Sequence, residues 1–315
     1  MLRRFAFALG LVSTSVAALL VACTVEQRAP DPLPVRDDEP DDPKPRTDAS
    51  TDRNTPDPPT DGGPRVPGRV FAHTDKKLYL FEPFEEKLTE IGAFSCLEAN
   101  DRVLDIALDR TGAMFGTTDF RFISIDPTSA ACTVVKDNVF DYPNSLSFVP
   151  AGTVDATKEA LVGYAFGNTF NVADRYVRID TATGEMTDVG NLNPQNAAVK
   201  YRSSGDLVSL IQDGNKTYLT VKEIVAEGGI PTDTLVEVDP ATGTIKRVVG
   251  DTKERNLYGF GYWAGKGYGF SGSGQILEIS MATAAATEIT VLKAGDGGNV
   301  PWFGAGVTTQ APVAP

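Results

Sequence analysis

A chain of 315 residues with 42 Asp and Glu against 29 Lys and Arg carries a formal charge of -13. No Lys/Arg cluster with interleaved aromatics interrupts that acidic balance, which excludes nucleic acid as an expected partner, because neutralised phosphates supply most of such affinity. The single histidine, His73, would have to serve any triad and offers one nitrogen where zinc usually takes several nitrogen or sulfur ligands, so no cofactor and no metal are expected.

The N-terminus places Arg3 and Arg4 before an apolar and small-residue stretch from Phe5 to Leu20, followed by Val21-Ala22-Cys23. That order is the n-region, h-region and cleavage site of an export signal, too short and wrongly flanked for a transmembrane helix. Leu20-Val21-Ala22-Cys23 resembles the bacterial lipobox, in which the cysteine is acylated and becomes the first residue after cleavage. The resemblance implies a signal peptide over residues 1–22 and lipidation at Cys23. The mature protein would then sit in the cell envelope on the extracytoplasmic side, at the outer membrane or cell surface, held by the lipid without spanning the bilayer.

Residues 23–67 change composition abruptly. Pro, Asp, Arg and Thr dominate, as in Asp37-Asp38-Glu39-Pro40-Asp41-Asp42-Pro43, with almost no large apolar residue. Such a segment cannot bury enough surface to offset its ordering entropy and is expected to be a disordered tether. At about 3.1 Å per residue in polyproline II it could reach on the order of 100 Å.

Residues 68–311 read as one all-β domain, with a short disordered tail expected at 312–315. A phrase recurs in which a β-type segment ends in an acidic residue, a Thr-containing turn follows, and a second β-type segment returns. The copies are Phe122-Ile123-Ser124-Ile125-Asp126, Tyr176-Val177-Arg178-Ile179-Asp180 and Leu235-Val236-Glu237-Val238-Asp239, with degenerate copies ending at Glu82 and Ser280. Asp caps such a turn and Gly accepts its left-handed position, so these carboxylates are turn residues. Upstream of each phrase lies another hairpin, including one read as Val199-Lys200-Tyr201 returning through Gly205-Asp206-Leu207-Val208. Two hairpins per unit make a four-stranded blade, and the repeat interval of about 40 to 50 residues is that of a propeller. Five units are expected. The first lacks an inner strand and the run Trp302-Phe303-Gly304-Ala305-Gly306-Val307 is a lone one, so the ring should close by pairing its termini, which also removes exposed edges. The repeats resemble secreted bacterial propellers of the NHL, YVTN or PQQ-like kind, a likeness that implies an architecture but no activity.

Cys96 and Cys132 are the only cysteines besides Cys23, and in an exported domain they are expected to form a disulfide. The patterns Gly259-Phe260-Gly261 and Gly304-Ala305-Gly306 lack the helix and basic residue of a phosphate loop and suit crowded inner strands instead. Among the acids, Asp105 and Asp101 lie on or near an inner strand, too few for the facing carboxylates of a glycosidase. Asp105, Asn144, Asn196 and Asn256 make only a partial lactonase-like calcium set. Asn100, Asn144, Asn196, Asn256 and Asn299 each precede an inner strand, which places them around one channel mouth with Asp105, Tyr142, Tyr258 and Trp302. Amides beside flat apolar faces suit a neutral polar ligand such as a glycan. The expected function is non-enzymatic binding of a ligand or protein partner, or scaffolding. The alternative is a lactonase- or glycosidase-like hydrolase at the channel, which would show Asp105 and a second acid facing one cavity within about 10 Å.

Overall fold

The local chemistry of the repeated phrase is visible at each outer turn. Asp126 Oδ1 accepts from the Thr128 N–H at 2.8 Å and hydroxyl at 2.7 Å, Asp180 Oδ1 from the N–H groups of Ala182 and Thr183, and Asp239 Oδ1 from Ala241 at 2.8 Å. The residue that turns the chain back sits at positive φ in four copies: Ala130 at 58°, Gly184 at 70°, Gly243 at 69° and Ala284 at 62°. An Asx-type turn with a left-handed exit matches the twist of the flanking strands, so each third strand returns as a fourth.

The computed structural model describes residues 69–165, 174–225, 229 and 231–313. The export signal at 1–22, Cys23 and the tether at 23–67 lie outside the described residues. Five four-stranded antiparallel sheets account for the domain. Blade 1 holds β1 (Val70–His73), β2 (Lys77–Glu82) and β3 (Lys87–Ala93); blade 2 holds β4 (Val103–Leu108), β5 (Met114–Thr118), β6 (Phe122–Ile125) and β7 (Cys132–Lys136). Blade 3 holds β8 (Leu146–Val149), β9 (Ala160–Ala165), β10 (Arg175–Ile179) and β11 (Met186–Asn191). Blade 4 holds β12 (Tyr201–Leu210), β13 (Lys216–Glu223), β14 (Asp233–Val238) and β15 (Ile245–Asp251); blade 5 holds β16 (Leu257–Trp263), β17 (Lys266–Ser271), β18 (Gln275–Ser280) and β19 (Ala286–Val291). The inner strand of blade 1 is β20 (Gly304–Gly306), paired antiparallel to β1 through Phe71–Gly306, Ala72–Ala305 and His73–Gly304. The chain is thus a five-bladed propeller closed by its terminal strands, as the incomplete first and last repeats predicted.

One hairpin differs from its sequence reading. Gly205-Asp206 does not turn the chain back: β12 runs on through it to Leu210, with a register shift between Ser203 and Leu207, and the return strand is β13. A Cβ on residue 205 would come within 2.0 Å of the Leu257 carbonyl oxygen, so the glycine permits close approach of the blade 5 inner strand and marks an irregular strand instead of a hairpin end.

Past β20 the chain crosses the end of the axis where the first-to-second strand connections lie. Thr308 bridges Leu108 of blade 2, the Thr309 carbonyl accepts from Ile211 of blade 4, its hydroxyl bonds Glu159 of blade 3, and the Pro312 carbonyl accepts from Ala264 of blade 5. Ala311 is fully buried and Val313 packs on the core between blades 4 and 5, so positions 312 and 313, read from the sequence as tail, belong to this strap.

The core lies between blades, and buried tyrosines stitch one blade to the outer turn of the next. The Tyr142 hydroxyl donates to the Gly184 carbonyl at 2.9 Å, and the Tyr176 hydroxyl donates to that of Pro240 at 2.9 Å. Cys96, in the connection leaving blade 1, is disulfide-bonded to Cys132, the first residue of the outer strand of blade 2, with Cα atoms 5.3 Å apart. The bond closes a loop across 36 residues, and in the chain-entropy model removing it costs roughly 3 to 4 kcal/mol. A Cys96→Ala/Cys132→Ala variant is accordingly expected to lose about that much in denaturant unfolding. A loss under about 1 kcal/mol would show that the loop is already constrained in the unfolded chain.

Candidate functional site at the propeller axis

Successive inner strands carry the same backbone group toward the axis. The N–H groups of Ile106 (2.7 Å) and Leu146 donate to the two carboxyl oxygens of Asp105, and those of Phe260 (3.0 Å) and Ala305 both donate to Asp206 Oδ2. These donors come from blades 2, 3, 5 and 1. The residues just before them are Asp105, Ser145, Gly259 and Gly304, and in blade 4 Asp206 precedes Leu207 in the same way. The ring of five positions therefore holds two acids and three small residues. A Cβ at residue 304 would lie 2.6 Å from Asp105 Oδ1 and 2.4 Å from His73 Nε2, so the glycine makes the room that the acid and the imidazole occupy.

Asp105, Asp206 and His73 are all fully buried. The two carboxyl groups are in hydrogen-bond contact, which requires a proton on one of them. Burial raises both well above the ordinary carboxylate range, and the charge on Asp206 raises Asp105 further, so the pair holds one proton between them. No backbone N–H or hydroxyl group of the described residues donates to Asp206 Oδ1. His73 lies on β1 with Nδ1 2.9 Å from the Thr74 carbonyl and Nε2 3.9 Å from Asp105 Oδ1, and burial lowers its pKa to about 4. It is neutral near pH 7, with Nδ1–H donating to Thr74 and the Nε2 lone pair facing the acids. Among the described residues no group of three or more His, Cys, Asp or Glu side chains is placed to hold a metal ion.

The mouth is reached from the end carrying the outer-to-inner connections. Asn144 is half-buried beside the axial Ser145, and its Oδ1 is enclosed without a donor. Asn256 holds a turn at φ 57° and accepts from Lys222 Nζ at 2.8 Å; the same ammonium lies 5.7 Å from the centre of the Tyr258 ring and 3.9 Å from the buried carboxylate of Asp233. Asp233 and Asp174 extend the pattern of the axial pair, accepting from the inner-strand N–H groups of Leu257 and Ser203. Burial raises Asp233, while hydrogen bonds and Lys222 oppose the shift.

The structure thus brings Asn144, Asn256 and Tyr258 to one end of the ring and sets Asp105 beneath them. Asn100 and Asn196 lie in exposed loops. Asp101 bonds Arg121 at 3.3 Å, and Asn299 bonds the Ser273 carbonyl. Tyr142 and Trp302 are buried: the Trp302 ring packs edge-on to Tyr79 and Phe270 between blades 1 and 5, with its indole N–H on the Gly274 carbonyl at 3.0 Å. Both are packing residues, since an indole or phenol is buried where its polar atom finds a partner. Asp206, Asp174 and Asp233 escaped the sequence reading. The signal that could have found Asp206 is an acid at the inner-strand position matching Asp105.

The fold and axis define a five-bladed, terminally closed propeller with a buried carboxyl pair at its centre. No family model and no curated protein matches the chain. Solved structures are similar at low identity. A chain of the nidogen/laminin complex has 12% identity and a TM-score of 0.43, covering 78% of this chain and 99% of that one. TolB from Acinetobacter baumannii has 14% identity and a TM-score of 0.39, covering 72% of this chain and 54% of its own. A gluconolactonase from Xanthomonas campestris has 9% identity and a TM-score of 0.39, covering 72% and 77%.

Proposed function

We propose that this chain is a membrane-anchored, extracytoplasmic propeller that binds a ligand or protein partner at the Asn144, Asn256 and Tyr258 end of the axis and performs no catalysis there. The observation that carries this reading is the state of the axial acids. Carboxylates that hydrolyse glycosidic bonds stand roughly 5 to 9.5 Å apart with substrate between them. Asp105 and Asp206 instead touch, have no exposed surface and accept two backbone N–H groups each, while the C-terminal strap crosses the opposite end. At that end stand the half-buried Asn144 and Asn256 amides and the Tyr258 ring, chemistry for holding a neutral polar molecule such as a glycan.

Combining Asn144→Ala with Asn256→Gly should leave the fold intact, because glycine accepts the positive φ of position 256 without strain. Each lost amide bond is worth about 0.5 to 1.5 kcal/mol, so a glycan or cell-wall fragment that binds the parent should bind the double variant roughly 5- to 100-fold more weakly in a calorimetric titration. Unchanged affinity places the site elsewhere. The anchor is tested separately: Cys23→Ser should move the protein from the detergent phase to the aqueous phase or block its processing, and unchanged partitioning ends the lipoprotein reading.

A further inference from the structure

The same end of the propeller carries a feature that the mouth does not use. Phe140 is 68% exposed and Phe120 44% exposed, and their rings meet edge to face with centroids 5.5 Å apart. They come from two connections of blade 2: Phe120 between β5 and β6, and Phe140 in the segment leading to blade 3. Both loops are fixed. Thr118 Oγ1 accepts from the N–H groups of Phe120 and Arg121, the Val139 N–H donates to the Phe120 carbonyl at 3.0 Å, and Arg121 Nε bonds Asp137 at 3.0 Å. Asn138 and Asp141 hold positive φ of 57° and 69° on either side of Phe140, a conformation costly for most side chains that keeps the ring outside the core.

The loops beside the rings carry four exposed or half-exposed carboxylates, Glu98, Asp119, Asp137 and Asp141, and the buried Asp101. Against them stand the guanidinium groups of Arg102 and Arg121 and the Lys76 ammonium, which donates to the Glu98 and Asp101 carbonyls; two negative charges remain in excess. We infer that the Phe120/Phe140 pair is a docking surface for a cationic, apolar segment of a partner protein, in which aliphatic side chains cover the rings and Lys or Arg meets the surplus of acid. Exposed aromatics held in place lose little entropy on binding and make interface anchors. An excess of carboxylate attracts cations and repels anionic lipid. Phenylalanine offers no hydrogen bond to a neutral polar ligand, so this surface goes beyond the reading of the mouth.

The test uses a labelled synthetic peptide of alternating Lys and Leu, with Lys-Ser and Glu-Leu peptides as controls, titrated against the whole soluble domain by fluorescence polarisation. The Lys-Leu peptide is expected to bind more tightly than either control, and more weakly as salt rises. Phe120→Ser/Phe140→Ser should weaken it at least tenfold with an unchanged melting temperature. Asp141→Asn, at a position where Asn tolerates the backbone angle, should weaken it two- to fivefold. Should the double variant lose stability, Phe140→Ser alone carries the test. The inference is overturned if the phenylalanine variants bind like the parent, if Lys-Ser binds as well as Lys-Leu, or if the pair directs the domain onto anionic vesicles instead. The Asn144/Asn256 variant should bind the peptide normally, so this reading and that of the mouth fail separately.

Discussion

Ending the chain after Asn299 is expected to abolish cooperative folding. The truncation removes β20, and with it the only inner strand of blade 1 and the strap that ties blades 2 to 5. It also removes Trp302, buried completely against Tyr79 and Phe270, whose loss alone is worth about 3 to 5 kcal/mol by analogy with large-to-small core substitutions. The N–H of Ala305 leaves Asp206, and β1 becomes an open edge. Since a domain is typically stable by only about 5 to 15 kcal/mol, these losses together exhaust it. Circular dichroism on heating should show no sharp transition, whereas a chain ending after Val313 should melt like the parent. A truncated chain melting at the parent temperature would disprove closure by the terminal strand.

The second large effect concerns Asp206. Asp206→Ala strands the buried N–H groups of Phe260 and Ala305, and with each charge-assisted bond contributing about 1.5 to 3 kcal/mol the variant should lose roughly 3 to 6 kcal/mol. Asp206→Asn should behave oppositely at neutral pH: its amide oxygen keeps both donors, and its NH2 can donate to an ionised Asp105. The pH dependence separates them. Because the folded pair holds its proton above the ordinary carboxylate range, the native state binds more protons than the unfolded chain there. Its contribution is complete at low pH and declines as pH rises through the elevated folded pKa. His73 works the other way: its pKa falls from 6.5 to about 4, so its contribution is present above 6.5 and lost as pH falls toward 4. Melting temperatures followed from pH 4 to 9 should show a decline with rising pH in the parent that Asp206→Asn reduces, because burial of Asp105 remains while the Asp206 charge is gone, and an acid decline that it retains. An alkaline limb unchanged in Asp206→Asn would mean that the pair shares no proton.

Much of this protein was legible without coordinates because it is local. Asp126, Asp180 and Asp239 cap turns built from their next three residues, and the strand pattern has a period of two, so blades and their number follow from adjacent residues. Closure was readable as well, since an incomplete first repeat and a surplus strand at the other end have one economical solution. The disulfide followed from the cysteine count and the expectation of export. The axis was not readable. Asp206 looked like part of a hairpin because Gly205 precedes it, and only packing against blade 5 shows that the glycine serves close approach within a continuous strand. Trp302 and Tyr142 looked like mouth residues because sequence order places them before inner strands, yet the wedge between blades takes large rings wherever a backbone carbonyl can receive their polar atom. Asp206 and Ala305 are 99 residues apart, and no local pattern links them. Their meeting is decided by closure of the ring, which brings equivalent positions of separate blades within hydrogen-bond distance of a single axis and buries the carboxyl groups there away from bulk solvent.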